Sequence, residues 1–321
     1  MYDYGVRLNA DEFGKGDKWI NKAAQKGVPR ALLQLLTTTS TIENKYHERI
    51  EYAERIYQSE EADCIYFVAC LFGGYGDVSG LVFSSLFTNN IWEDGNLVKT
   101  WDFDYENSLK FLKRAASLGY QSAQYDLGLI YCFGGLPHKN RKDIWYISDY
   151  PTQCDYEESY RLFKASGCTD DEYNMWATRS MAGDGSDSNL DEFKGLTDND
   201  RAIAMFSILL RNGYPFAGWL LTQVAYNTGK YQLVFDTFKY LTDNFSGKMD
   251  KWPFSSIYNI ISSCYRFGRG CEPDESLADY YLEKYCGLTN YTENSKIREF
   301  INDIKHQDSP DTRPNAIPGT E

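Results

Sequence analysis

Along this chain apolar residues recur at three- and four-residue steps, in short stretches that end at glycine. This is the pattern of amphipathic helices joined by tight turns. In the clearest stretch Ala123, Leu127, Ile130 and Tyr131 fall on one helical face. Gly134 and Gly135 follow, and glycine can take the positive φ that ends a helix without strain. Further on, Asp155 is placed to accept a hydrogen bond from the free amides of the next helix. Glu158, three residues later, completes a capping-box pattern. Helix, glycine turn and capped helix make one unit.

The unit recurs. The stretches beginning at Asp104, Asp155 and Asp274 are variations of one another, and Tyr131 to Gly135 is answered by Tyr265 to Gly270. A Gly-x-x-x-Ala element returns at Gly27/Ala31, Gly119/Ala123 and Gly213/Ala217. The spacing predicts first helices over 29–38, 62–73, 121–133, 170–182, 214–227 and 252–267. Second helices are predicted over 17–26, 45–58, 104–118, 155–166, 198–211, 230–243 and 274–285, and a more polar last helix over 290–305. Hairpin signals are absent, so essentially no sheet is expected. Units that cannot bury an apolar face alone must stack on one another. The expected architecture is all-α, a right-handed α-solenoid of antiparallel helix pairs, with about six to seven pairs forming one domain over 1–305. Residues 306–321, with Pro310, Pro314 and Pro318 and little that is apolar, are expected to form a disordered tail.

These residues carry a resemblance. Asp104, Phe111, Ala115, Ala116, Gly119, Ala123, Leu127, Gly128, Tyr131 and Gly134 follow the pattern of Sel1-like repeats, relatives of tetratricopeptide repeats. Trp19, Ala23, Ala24 and Gly27 match its second half, and Tyr265, Gly268, Gly270, Asp274, Ala278 and Tyr281 match around the last turn. The copies around 45–73 and 170–243 are degenerate. The resemblance implies a protein-binding module. Within the family, a signalling adaptor or scaffold and a cytoplasmic immunity protein that occludes a toxin both suit an acidic chain. Cysteine-rich secreted members credited with acting on β-lactams resemble this chain only in the repeat, because their regularly spaced disulfide pairs are missing and no Ser-x-x-Lys is evident.

Charge narrows the partner. The 321 residues carry 33 Lys and Arg against 46 Asp and Glu, a formal net charge of -13. Nucleic acid and anionic membranes are therefore disfavoured, since both are bound by clustered cations, and a basic protein is favoured. No apolar run approaches the roughly 20 residues that span a bilayer. No signal-like segment opens the sequence, and a cytoplasmic location is expected. The eight cysteines are irregularly spaced and lack Cys-x-x-Cys, which suits free thiols in a reducing compartment.

Chemistry of other kinds is thinly represented. The glycine turns lack the Lys-Ser/Thr of a phosphate-binding loop. The segment 184–195 has the composition of a calcium loop, but Asn189 stands where its glycine belongs and Gly195 where its glutamate belongs. Only His47, His138 and His306 occur, and no Cys or His pair has zinc-site spacing. Neither catalytic, cofactor nor metal residues are assigned, no small-molecule substrate is expected, and the chain reads as a non-enzyme.

The irregularity with most bearing on function is a set of long inserts in three successive repeats, over 75–103, 136–154 and 184–197. They share one position in the unit, so they are expected on one edge. The first holds Phe83, Phe87, Trp92, Trp101 and Phe103; the second mixes His138, Lys139, Arg141 and Lys142 with Trp145, Tyr146 and Tyr150; the third is acidic. Aromatic anchors beside charge suit an interface. The residues assigned to partner binding are Trp92, Trp101, Trp145 and Tyr146, with Asp187, Asp191 and Glu192 steering a basic surface toward them.

Overall fold

In the computed structural model, residues 1–11, 14–38, 46–74, 91–93, 96–99, 104–139, 145–148, 150–181 and 195–289 are described. Among them are fourteen helices and four short strands. The helices are α1 (Tyr2–Asp11), α2 (Asp17–Gln25), α3 (Pro29–Thr38), α4 (Tyr46–Tyr57), α5 (Ala62–Gly73), α6 (Tyr105–Ser117), α7 (Gln121–Phe133), α8 (Tyr156–Ala165), α9 (Asp170–Ser180), α10 (Asn199–Arg211), α11 (Pro215–Asn227), α12 (Tyr231–Met249), α13 (Ser256–Phe267) and α14 (Glu275–Thr289). The fold is all-α and built of helix pairs. Contacts divide it into two compact units, Met1–Ile208 and Leu209–Glu321, and the division point falls inside α10.

Four of the second helices start where aspartate supplies a cap. Asp104 accepts a hydrogen bond from Asn107 N at 3.0 Å, Asp155 from Glu158 N at 3.0 Å, Asp198 from Arg201 N at 3.1 Å and Asp274 from Leu277 N at 2.9 Å. Each answers one of the amides that a helix N-terminus leaves without a partner. The box expected at Asp155 is only half closed, because the Glu158 carboxylate turns to Arg161 instead. A complete capping box forms at Thr169 and Glu172, at the start of α9.

Four residues after the cap the pattern wants a small side chain, and the packing shows why. Ser108 on α6 donates to Ala69 O of α5 at 2.9 Å, and Ser159 on α8 donates to Gly128 O of α7 at 2.8 Å. Both serines are fully buried. A hydroxyl between two closely packed helices satisfies itself on a carbonyl that already has a helical partner. In the last pair the roles are exchanged: Ser262 on α13 donates to Ala278 O of α14 at 2.7 Å. Between these helices the core is filled by large rings, with Phe72, Phe111, Phe163 and Tyr173 among the fully buried side chains of the first unit.

Three elements depart from the sequence expectation. The pattern gave no helix before residue 17, yet α1 packs on α2 and completes a pair with it. Gly5 and Gly16 let the two backbones approach, and a Cβ on Gly16 would collide with Gly5 O. The predicted stop at 243 lies just before Phe245, whose φ of -136° interrupts the helical path of α12 before it resumes to Met249. Finally, α13 starts at Ser256 rather than 252, because the residue before Pro253 is kept out of helical geometry.

The inserts contribute two short antiparallel ribbons to this otherwise helical chain. β1 (Ile91–Glu93) pairs with β2 (Asn96–Lys99), and β3 (Pro137–Lys139) pairs with β4 (Trp145–Ile147). A two-stranded ribbon of three or four residues is marginal by itself, and the fold class is unchanged. The second insert is tied to the helices at its base. Ser148 N donates to Leu136 O at 3.0 Å, Asp155 N donates to Tyr131 O at 2.8 Å, and a Cβ on Gly135 would strike Ser148 O. The predicted helix over 290–305 and the tail 306–321 lie outside the described residues.

Candidate functional site

In the first unit, three successive first helices, α5, α7 and α9, line a groove of about 470 Å³. Tyr66 comes from α5; Gln121, Ser122, Tyr125 and Asp126 come from α7; Glu172 comes from α9; and Ser166, Gly167 and Cys168 form the turn between α8 and α9. The repeat dictates this placement. Gly167, at φ 88°, ends α8 so that Thr169 can cap α9, which brings the start of α9 beside the start of α7.

Asp126 is the chemical centre of the groove. The residue keeps some exposure but its carboxyl is largely shielded from water, and Tyr66 Oη donates to its Oδ2 at 2.8 Å. No hydrogen bond to its Oδ1 occurs among the described residues. Desolvation pushes its carboxyl up to about 6, and the hydrogen bond from Tyr66 opposes part of that shift. The Tyr66 hydroxyl is in turn held protonated, by burial first and by the neighbouring Asp126 carboxylate second. Tyr66 is steadied by the Tyr120 ring at a centroid distance of 5.0 Å.

The opposite wall is built from a relay of rings. Trp176 Nε1 donates to Tyr125 Oη at 2.9 Å, and Tyr125 packs edge-on against Phe163 at 5.0 Å. Having accepted from Trp176, the Tyr125 hydroxyl keeps its own proton for another acceptor. Glu172 accepts from Thr169 N at 2.7 Å, and that bond, with smaller contributions from Cys168 and Thr169 side chains, holds its carboxyl below the usual range. The groove thus presents two carboxyl groups and four hydroxyls, and no Lys or Arg is among its lining residues.

Asp184 to Glu192 and Trp101 lie outside the described residues, so Trp101, Asp187, Asp191 and Glu192 have no place in this geometry. Trp92 falls in β1, and Trp145 and Tyr146 fall in β4, opposite Lys139 and His138 respectively. Tyr150, grouped from the sequence with the rings and charges of the second insert, is buried. Its hydroxyl lies 3.0 Å from Ser108 Oγ and its ring 4.7 Å from Tyr105. It fastens the insert to α6, a role that the alternation of rings and charges could not reveal. No residue of the groove was assigned to binding from the sequence. Asp126 sits in a run of apolar positions, and that isolated carboxylate was the available signal.

Other clusters are structural. Glu61, Asp63 and Cys64 converge closely enough to resemble a metal site, but Arg30 reaches both carboxylates at 3.4 and 3.2 Å and supplies the positive charge. Burial first, and nearby carboxylates second, push the Cys64 and Cys168 thiols up to about 12, and burial pushes Cys264 up to about 11. Such thiols stay protonated and are poor nucleophiles.

The fold and groove define a class: an all-α protein of stacked helix pairs with an acidic first-helix surface. The repeat resembles the Sel1-like pattern in its residues: aspartates act as caps, small residues as helix contacts and glycines as αL turns. No protein-family model matches the chain, and no curated protein sequence matches it. Among solved structures it is similar to a Sel1 repeat protein from Oxalobacter formigenes, with 14% identity and a TM-score of 0.33 over 88% of this chain and 69% of that one. It is also similar to a protective antigen of uropathogenic Escherichia coli strains displaying an SLR fold, with 15% identity and a TM-score of 0.25 over 89% and 68% of the two chains. The resemblance to the Sel1-like pattern is carried by the residues and not by these superpositions.

Proposed function

We propose that this chain is a non-enzymatic protein-binding module whose partner presents a basic surface, and that it acts by covering that surface. The observation that carries this reading is the groove between α5, α7 and α9. Its carboxylates face a concavity with no lysine or arginine on its lining, in a chain of net charge -13. A negative surface speeds encounter with a positive one and disfavours other partners. The raised thiols and the arginine-filled carboxylate cluster support a binding role over a catalytic one. No described helix is long and apolar enough to cross a membrane.

Among binding roles, we favour a cytoplasmic immunity protein that occludes a basic toxin or effector, with a signalling scaffold as the other role that an acidic helix-pair array suits. The inserts would form a second part of the interface, with Trp92, Trp101, Trp145 and Tyr146 as anchors and Asp187, Asp191 and Glu192 as steering charges. Coexpression with the products of the reading frames flanking its gene tests the role. One flanking product should arrest growth alone, be neutralised by this chain and copurify with it in a complex weakened by salt. Flanking products that are harmless, or that remain toxic in its presence, would overturn the immunity role.

A further inference from the structure

A buried carboxylate with one oxygen satisfied and the other open to a cavity is a receptor for one more donor. Asp126 has this form. Tyr66 occupies Oδ2, no described residue donates to Oδ1, and the residue lines the groove. The remaining walls repeat the preference. Glu172 offers a second carboxylate, held ionised by its capping bonds, and Tyr125 offers a hydroxyl oxygen fixed in place by Trp176. An anionic group would meet like charge here, and a neutral donor would leave the charge of the carboxylates without a counterpart. A guanidinium has five donors in a plane, is more weakly hydrated than an ammonium and stacks on rings. The Tyr66 and Tyr125 rings flank the same space.

We propose that this groove seats one arginine side chain of the partner, with Asp126 Oδ1 as its principal acceptor and Tyr66, Tyr125 and Glu172 completing the walls. The inference rests on the protein-binding reading and assigns it a specific contact. Asp126 is then an acceptor held ready by Tyr66, and the desolvation that burdens the free protein is relieved when the cation arrives. Lysine fits the charge but not the planar donor set, so it is the weaker occupant.

The test uses the full chain labelled with 5-fluorotryptophan and reads the fluorine resonance of Trp176, whose indole is bonded to the groove wall. The probes are three capped pentapeptides, glycine throughout except for a central arginine, lysine or citrulline. The arginine peptide should shift the Trp176 resonance saturably, with a dissociation constant on the order of 1 mM for so small a ligand. Lysine should bind more weakly, and citrulline, the neutral isostere, at least tenfold more weakly. Asp126→Asn, which keeps an acceptor for Tyr66, should lose the response to arginine while its melting temperature is no lower than that of the wild type, and Tyr66→Phe should weaken the response. Equal binding of citrulline and arginine, no saturable shift with arginine, or an undiminished response in a folded Asp126→Asn protein would each overturn the proposal. The two readings fail separately: a partner protein that binds wild type and Asp126→Asn alike removes the arginine site and leaves the binding module, whereas a chain that takes the arginine peptide but neutralises no neighbour removes the immunity role alone.

Discussion

Burying a carboxylate is unfavourable, and Asp126 is buried on a groove wall where it opposes folding. Its ordinary value is about 3.9 and the folded protein raises it to about 6, so the native state holds the proton more tightly than the unfolded chain. The penalty is absent below about pH 4, grows as pH rises and is complete above about pH 7. Relative to Asp126→Asn, the wild type should therefore lose on the order of 2–3 kcal/mol of stability between pH 4 and pH 8. Urea titrations of both proteins across that range check this, and parallel curves would refute the raised value. Glycines divide by cause in the same way. Gly119 has φ 84° with nothing near its missing Cβ, so Gly119→Val should cost roughly 1–2 kcal/mol through backbone strain alone. Gly135 lies against Ser148 O, and Gly135→Ala should cost at least about 2 kcal/mol because a fixed backbone atom is in the way. Equal melting temperatures for wild type and these variants would remove both arguments.

At the scale of the helix, one aspartate and one small residue four positions later recur as a device. The cap answers free amides and the small residue lets the paired helices close. Asp155→Ala should destabilise by about 1 kcal/mol. Ser159→Val should cost more, because it removes the bond to Gly128 O and forces extra carbon into a contact that Phe163 also occupies. Chemical denaturation ranks the two, and the reverse order would mean that capping, not close packing, dominates this pair. The inserted ribbons follow another logic. Helical neighbours hold the second ribbon at its base, through Leu136, Ser148 and Tyr150. Sequence spacing located the inserts but could not separate Tyr150, which is an internal fastener, from Trp145 and Tyr146 five and four residues earlier.

For the whole molecule, the division into Met1–Ile208 and Leu209–Glu321 falls inside α10. We propose that 1–305 behaves as one array. Fluorescence and circular dichroism should then report one coincident urea transition; two separated transitions would make the units independent domains. The thiols give a second test. Cys64, Cys70, Cys132, Cys168 and Cys264 are buried and Cys154 is exposed. In native protein at pH 8, Cys154 should be alkylated first and the buried five protected. After unfolding without reductant, all eight should label, and any unlabelled pair would indicate a disulfide.

What the sequence determined by itself was everything that depends on local periodicity. Caps, glycine stops and the recurrence of apolar faces placed thirteen of the fourteen described helices, because each is specified by residues within a turn or two of one another. The missed helix, α1, depends on Gly5 meeting Gly16, a contact that no periodicity records. Tertiary structure alone decided which polar residues work together. Tyr66 and Asp126 are 60 positions apart, and Tyr125 and Trp176 are 51 apart. They meet because successive first helices stack side by side. A carboxylate becomes a desolvated acceptor only when the helix beside it excludes water, and that neighbour is chosen by the packing of the repeats rather than by the residues adjoining it in the chain.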